Sequence, residues 1–124
     1  MHEISVLTQA VDIAEKTARE NDIARISYLT LEVGELSGYL PVFFHKYYPI
    51  VTENRPVFDG SELNIISVTG EALCNECSAM YNVMREEGRC PKCGSRTKTI
   101  LGGTEFRIKE IGFACDPAEG EGES

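Results

Sequence analysis

Four of the five cysteines stand in two pairs, CNEC at Cys74–Cys77 and CPKC at Cys90–Cys93, with twelve residues between the pairs. A tight turn between thiols three residues apart points both sulfurs to one side and lets the turn amides hydrogen-bond them. Two such knuckles close a tetrahedron around a single ion. Zn²⁺ is the default occupant, because a closed site of four thiolates suits a d¹⁰ ion with no geometric preference of its own. Between Cys74 and Thr97 the large apolar residues are chiefly Met80, Tyr81, Val83 and Met84, too few to hold a fold unaided. Metal binding, on the order of 10–16 kcal/mol in small peptide sites, is expected to organise the segment.

Three other chemistries use similar cysteines. A rubredoxin-like iron site has the same ligands, but electron-transfer domains of that kind usually form a compact whole. A zinc ribbon for nucleic acid needs a basic face. Here residues 71–104 hold five basic residues, Arg85, Arg89, Lys92, Arg96 and Lys98, against the four acids Glu71, Glu76, Glu86 and Glu87. Four metal-bound thiolates would make that balance negative. A dithiol redox pair needs one CxxC, not two. The expected site is therefore structural zinc on Cys74, Cys77, Cys90 and Cys93. Cys115 lies outside the pattern and reads as a small residue ending the last strand, with a reactive or metal-binding thiol as the alternative.

The chain around this segment has ordinary amphipathic patterns. Ile4, Leu7, Val11, Ala14 and Ala18 recur at three and four, which predicts a helix ending near Asn21-Asp22. ARISYLTLEV then alternates, with Leu29, Leu31 and Val33 on one face and Tyr28, Thr30 and Glu32 on the other, a half-buried strand. Pro41 suits the first turn of a second helix, whose expected buried stripe is Phe43, Phe44, Tyr47 and Val51 and which Pro49 should kink or shorten. A strand follows over residues 62–69, then the cysteine segment, then a third strand in TEFRIKEIGF. The fold class is α/β (α+β): a small three-stranded mixed sheet with two helices, plus an inserted four-cysteine module resembling a zinc ribbon. DPAEGEGES, with no large apolar side chain, reads as a disordered acidic tail over 116–124.

A formal net charge of −8 over 124 residues repels phosphate backbones and anionic lipid, so nucleic acid is not an expected partner. No apolar run approaches the roughly 20 residues of a membrane span, and the first residues lack the pattern of a secretory leader. The expected location is the cytoplasm. Nothing resembles a catalytic constellation, so the chain is not read as an enzyme.

MHE at the start, VGEL at Val33–Leu36 and the paired knuckles occur together and in this order. In that conjunction the sequence resembles the HypA/HybF family of nickel metallochaperones, which help mature nickel-iron hydrogenase and in some members serve urease. The resemblance runs from Met1 to about Phe113. It implies a nickel-binding α/β domain over 1–70 and 105–115, a zinc-binding domain over 71–104, a nickel-handling GTPase as partner and the hydrogenase large-subunit precursor as client. It also implies structural Zn²⁺ with Ni²⁺ as transient cargo.

MHE has suitable chemistry for that cargo. The Met1 amine and the His2 backbone nitrogen close a five-membered chelate ring, and that nitrogen with the His2 ring Nδ1 closes a six-membered one. Ni²⁺ favours such nitrogen sites. The position opposite the His2 amide stays open for the Glu3 carboxylate, water, His45 or a group from a partner. Met1, His2 and Glu3 are thus the expected nickel residues. His45 more often reads as a surface or half-buried histidine, and Glu35 as a residue shaping the loop after the strand. The alternative function is a zinc-ribbon interaction or nucleic-acid module to which MHE is incidental.

Overall fold

The computed structural model describes residues 2–113, with His2 as backbone only; Met1, Cys115 and the acidic stretch 116–124 lie outside the described residues. The elements run α1 (His2–Glu20), β1 (Ile26–Gly34), α2 (Pro41–Val51), a 3₁₀ turn (Pro56–Phe58), β2 (Glu62–Val68), β3 (Glu71–Cys74), β4 (Met80–Asn82), β5 (Lys98–Gly102) and β6 (Phe106–Phe113). Two three-stranded sheets form, ordered β2-β1-β6 and β4-β3-β5. In the first, the Asn64 side chain donates to Thr30 and the Glu35 amide donates to Val68, so β1 and β2 advance together and are parallel. Tyr28 meets Glu110 and Glu32 meets Arg107, so β1 and β6 run opposite ways and the sheet is mixed. In the second sheet β3 is antiparallel to both neighbours, with Ala72 opposite Tyr81 and Ile100.

The chain forms two compact units. Among the described residues, one holds 2–31, Pro41–Asn64 and 108–113; the other holds Glu32–Leu40 and Ile65–Arg107. In the first, α1 packs against α2, and its predicted face is buried at Leu7, Val11, Ala14 and Ala18, joined by Ala10. The helix ends where Asp22 turns left-handed at φ 56. The amides of Ile23 and Asp22 reach back to the carbonyls of Ala18 and Arg19, which caps the last turn. Arg55 ties the end of α2 to α1 through Asp12 and Glu15, both at 2.7 Å.

Two expectations need correction. The buried residues of α2 are Phe44 and Tyr48, while Phe43, Tyr47 and Val51 are half-buried. Tyr48 turns inward because its hydroxyl finds Ser61 Oγ at 2.8 Å and its ring meets Phe58 edge-on, so its polar tip is satisfied inside. Pro49 lies inside the helix, two residues before its end at Val51. Thr30, expected on the polar face of β1, is 5% exposed; β1 is the central strand, and a central strand has less open surface on either face.

In the second unit, glycines bring three backbone segments unusually close. A Cβ built on Gly34 would lie 2.0 Å from the Gly103 carbonyl oxygen, one on Gly103 would lie 2.4 Å from the Gly70 Cα, and one on Gly70 would meet Leu36 Cγ at 2.6 Å. Hydrogen bonds fasten the junction: Leu36 N–H to the Gly103 carbonyl at 2.6 Å, Gly34 N–H to the Glu105 carbonyl at 2.7 Å, and Gly70 N–H to Glu35 Oε1 at 3.0 Å. Here the chain leaves β2 for the cysteine segment and returns from it to β6. Gly103 also sits at φ 102, a conformation side chains resist. Gly103→Ala should therefore cost about 2–4 kcal/mol, since neither the φ nor the opposing backbone can yield cheaply; urea unfolding of the zinc-loaded protein measures it.

Candidate metal centre

The two cysteine knuckles share one hydrogen-bond pattern. Cys74 N–H donates to the Ala79 carbonyl at 2.8 Å and Ser78 N–H to the Cys74 carbonyl at 2.9 Å; Cys90 N–H donates to the Ser95 carbonyl at 2.9 Å and Gly94 N–H to the Cys90 carbonyl at 2.8 Å. Glu76 N–H and Lys92 N–H each point at the sulfur two residues earlier, Cys74 and Cys90, at 3.4 Å. Both knuckles place a left-handed residue directly after the second cysteine, Ser78 at φ 65 and Gly94 at φ 80. Gly94 was legible as a turn residue; Ser78 was not, because nothing in a serine announces a positive φ.

The four sulfurs lie within 4.8 Å of one another. Cys74 and Cys93 are 3.6 Å apart at sulfur, as are Cys77 and Cys90. Metal–sulfur bonds of ~2.3 Å at tetrahedral angles put sulfurs roughly 3.8 Å apart, whereas a disulfide needs ~2.05 Å. The spacing thus fits a shared ion, and the four cysteines are free thiols. Cys74 and Cys90 are buried with Ala72 and Tyr81, and Cys77, Ala79 and Val83 pack against them. The first knuckle is anchored to β5: Asn75 N–H donates to the Thr97 carbonyl and Thr99 Oγ1 to Asn75 Oδ1.

Crowding separates the thiols as acids. Burial pushes Cys90 up, but the amides of Cys93 and Lys92 and the neighbouring thiols outweigh it and bring it down to about 6. For Cys93 the Ser95 amide pulls down, yet Cys74, burial and the other thiols push it up to about 12. Four anions this close repel, so protons stay where no cation replaces them.

Cys74, Cys77, Cys90 and Cys93 form the one group of three or more candidate metal ligands brought together among the described residues. Glu3 lies half-buried in the first turn of α1, and His45 is exposed on α2. Glu35, in VGEL, accepts from Gly70 N–H and so shapes the loop after β1. No helix among the described residues is long and apolar enough to cross a membrane.

Comparison with known proteins bears on this arrangement. The family model described as hydrogenase/urease nickel incorporation, metallochaperone, hypA matches residues 1–113. The hydrogenase maturation factor HypA of Dechloromonas aromatica is 35% identical over 111 residues, covering 90% of this chain and 97% of that protein. The hydrogenase maturation factor HybF of Klebsiella pneumoniae is 33% identical over 111 residues, with the same 90% and 97% coverage. A solution structure of HypA protein superposes with a TM-score of 0.68 at 26% identity, over 94% of this chain and 98% of that one. The solution structure of the Ni metallochaperone HypA from Helicobacter pylori shares the fold, with a TM-score of 0.63 over 92% of this chain and 98% of that one.

The left-handed residues of the knuckles can be tested in opposite directions. Ser78→Gly should relieve a side chain held at positive φ and strengthen the module by about 0.5–1 kcal/mol, while Gly94→Ala should weaken it by about 1 kcal/mol. Chelator competition reads both as zinc affinity, because metal binding and folding are coupled there. Zinc affinity should also fall as pH falls, and more steeply below about pH 6: at neutral pH the ion displaces the protons of Cys77 and Cys93, both held above the ordinary thiol range, and below that value the proton of Cys90 as well. Zinc titration across pH 5–8, a range chosen to bracket the change at roughly 6, tests the slope.

Proposed function

Because this chain belongs to the HypA/HybF family of hydrogenase-maturation nickel metallochaperones, we propose that it takes up Ni²⁺ on its first three residues and hands the ion on, while a resident zinc holds the four-cysteine module together. Membership makes it a nickel metallochaperone of hydrogenase and urease maturation, a maturation factor and not a catalyst. Its partners belong to the maturation machinery. In the finer reading these are a nickel-handling GTPase and the hydrogenase large-subunit precursor, met in the cytoplasm.

The observation that carries the nickel assignment is that α1 opens at His2. The first amides of a helix have no carbonyl one turn back to bond, so the His2 N–H enters no helical hydrogen bond and can give up its proton to solvent when the nitrogen takes a metal. Met1 supplies the amine and His2 the amide and ring nitrogen. Glu3 stands in the first turn, where the helix dipole favours a carboxylate and a cation can share it. Three nitrogens leave one planar position unfilled, which suits an ion that must be surrendered. His45 is the next residue to test as an outer ligand.

Zinc is assigned to Cys74, Cys77, Cys90 and Cys93 on the sulfur spacing and the donor set. Its chemistry there is structural: with four protein ligands no position is left for substrate. The functional division accordingly runs 1–70 with 105–115 for nickel and 71–104 for zinc. A net charge of −8 argues against nucleic acid among the partners.

The test compares protein with a free Met1 amine with the same protein acetylated at that amine. Acetylation turns the free amine, with a reference pKa of roughly 7.7–8.0, into an amide that must lose a proton before it binds, so nickel affinity at neutral pH should drop by about tenfold or more. His2→Ala should abolish stoichiometric nickel binding with little change in the thermal melt. Zinc content should be unchanged in both. Equal nickel affinities for acetylated and native protein would remove the amine from the ligand set.

A further inference from the structure

The two helices of the first unit turn different surfaces to solvent. On α1 the exposed positions include Ser5, Gln9, Asp12, Lys16, Arg19 and Glu20, with Ile13 as the exposed aliphatic. That is a solvated face. On α2 the exposed positions are Val42, His45, Lys46, Pro49 and Ile50. Val42 is 65% and Ile50 58% exposed, although Phe44 and Tyr48 already serve the core from the opposite side. The five fall at i, i+3, i+4, i+7 and i+8, one stripe of about 12 Å along the helix. This is the spacing by which an amphipathic helix seats in a groove.

Charge singles out the same stripe. The chain carries −8, yet Pro41–Val51 contains no acid, and its charged side chain is Lys46 beside His45. The next acid along the chain, Glu53, stands past the end of the helix, and Arg55 is engaged with Asp12 and Glu15. An acidic partner is repelled by the chain as a whole and accepted here, which makes charge a selector of the face as well as an attraction. Pro49 adds a polar handle: it has no N–H to give the carbonyl of His45, four residues earlier, so that carbonyl lacks its usual helical donor on this exposed side.

We propose that the solvent face of α2, Val42, His45, Lys46, Pro49 and Ile50, is a docking surface for a protein of the maturation machinery that presents an apolar groove rimmed by carboxylates. Val42 and Ile50 fill the groove, Lys46 pairs with its rim, and the His45 carbonyl accepts a donor from its wall. The choice of partner class rests on the metallochaperone reading; the face itself does not.

The probes are the purified nickel-handling GTPase and the purified hydrogenase large-subunit precursor of the same system, each titrated with the full-length protein. Ile50→Asp and Val42→Asp should weaken binding of at least one probe by about tenfold or more, as the loss of a central apolar anchor does. Lys46→Glu should weaken it and flatten its salt dependence. Gln9→Asp on α1 is the control and should change nothing. Thermal melts, zinc content and nickel titration should match the parent in all four, which separates this surface from the nickel site: loss of partner binding with nickel intact supports the face, whereas loss of nickel binding in His2→Ala bears on the N-terminal ligand set alone. Parental affinity of the α2 variants for both probes overturns the proposal. So does a parent dimer in sedimentation that Ile50→Asp dissociates, since the occupant is then a second copy of this chain.

Discussion

Four sulfurs within 4.8 Å of one another constrain everything between β2 and β6. Thiolates at that distance repel strongly, and thiols there only trade protons, so the arrangement holds as a fold when a dication neutralises it. The buried cluster around them makes the dependence plain. Of its four buried members, Ala72, Cys74, Tyr81 and Cys90, two belong to the sulfur cluster itself. Without the ion, what remains is an alanine and a tyrosine, far short of what orders a chain. The sheet β4-β3-β5 is arranged around the sulfurs: β3 delivers Cys74, β4 begins three residues after Cys77, and β5 follows the second knuckle.

The four-cysteine module has to be joined to the rest of the chain, and the junction uses glycine for contact distance. Gly34 and Gly103 let backbones approach to where a methyl group would overlap carbonyl oxygen or Cα, and Gly70 leaves room for the Leu36 side chain. Glu35 closes the same place from its side chain, accepting the Gly70 amide as the chain departs, and Glu105 accepts the Gly103 amide as it returns. Each of these amides is thus spent on a partner, and the loop between β1 and α2 is fixed by the same bonds that fix the insertion.

What could be read from sequence follows from what leaves a periodic trace. α1, β1 and the outer strands bury one face, and their spacing showed it. The cysteines were legible because ligand geometry demands fixed intervals. The phase of α2 was misread because Phe43, Phe44, Tyr47 and Tyr48 are all large and aromatic, so hydropathy cannot say which pair faces in; the hydroxyl of Ser61, thirteen residues from Tyr48, decides it. β3, β4 and β5 are three to five residues long, too short to show an alternation. Ser78 reveals itself only beside Gly94, once both knuckles are seen to need a left-handed residue.

Chemistry at the two metal positions divides along donor number. A tetrahedron of four cysteines uses every ligand position, so an incoming group must break a metal–sulfur bond before it can compete, and a resident ion stays. The proposed N-terminal set has three nitrogens for an ion that prefers four or six donors, so a fourth ligand from another protein completes it without breaking anything first. Release is then a matter of which protein supplies the missing donors, and that requires the two proteins to be held in register while ligands exchange. Such holding cannot come from the nickel ligands, since these must let go at the same moment. It has to come from a separate surface, and in an acidic chain whose helix α2 carries Val42, Lys46 and Ile50 toward solvent without one carboxylate, the requirement and the available face have the same chemistry.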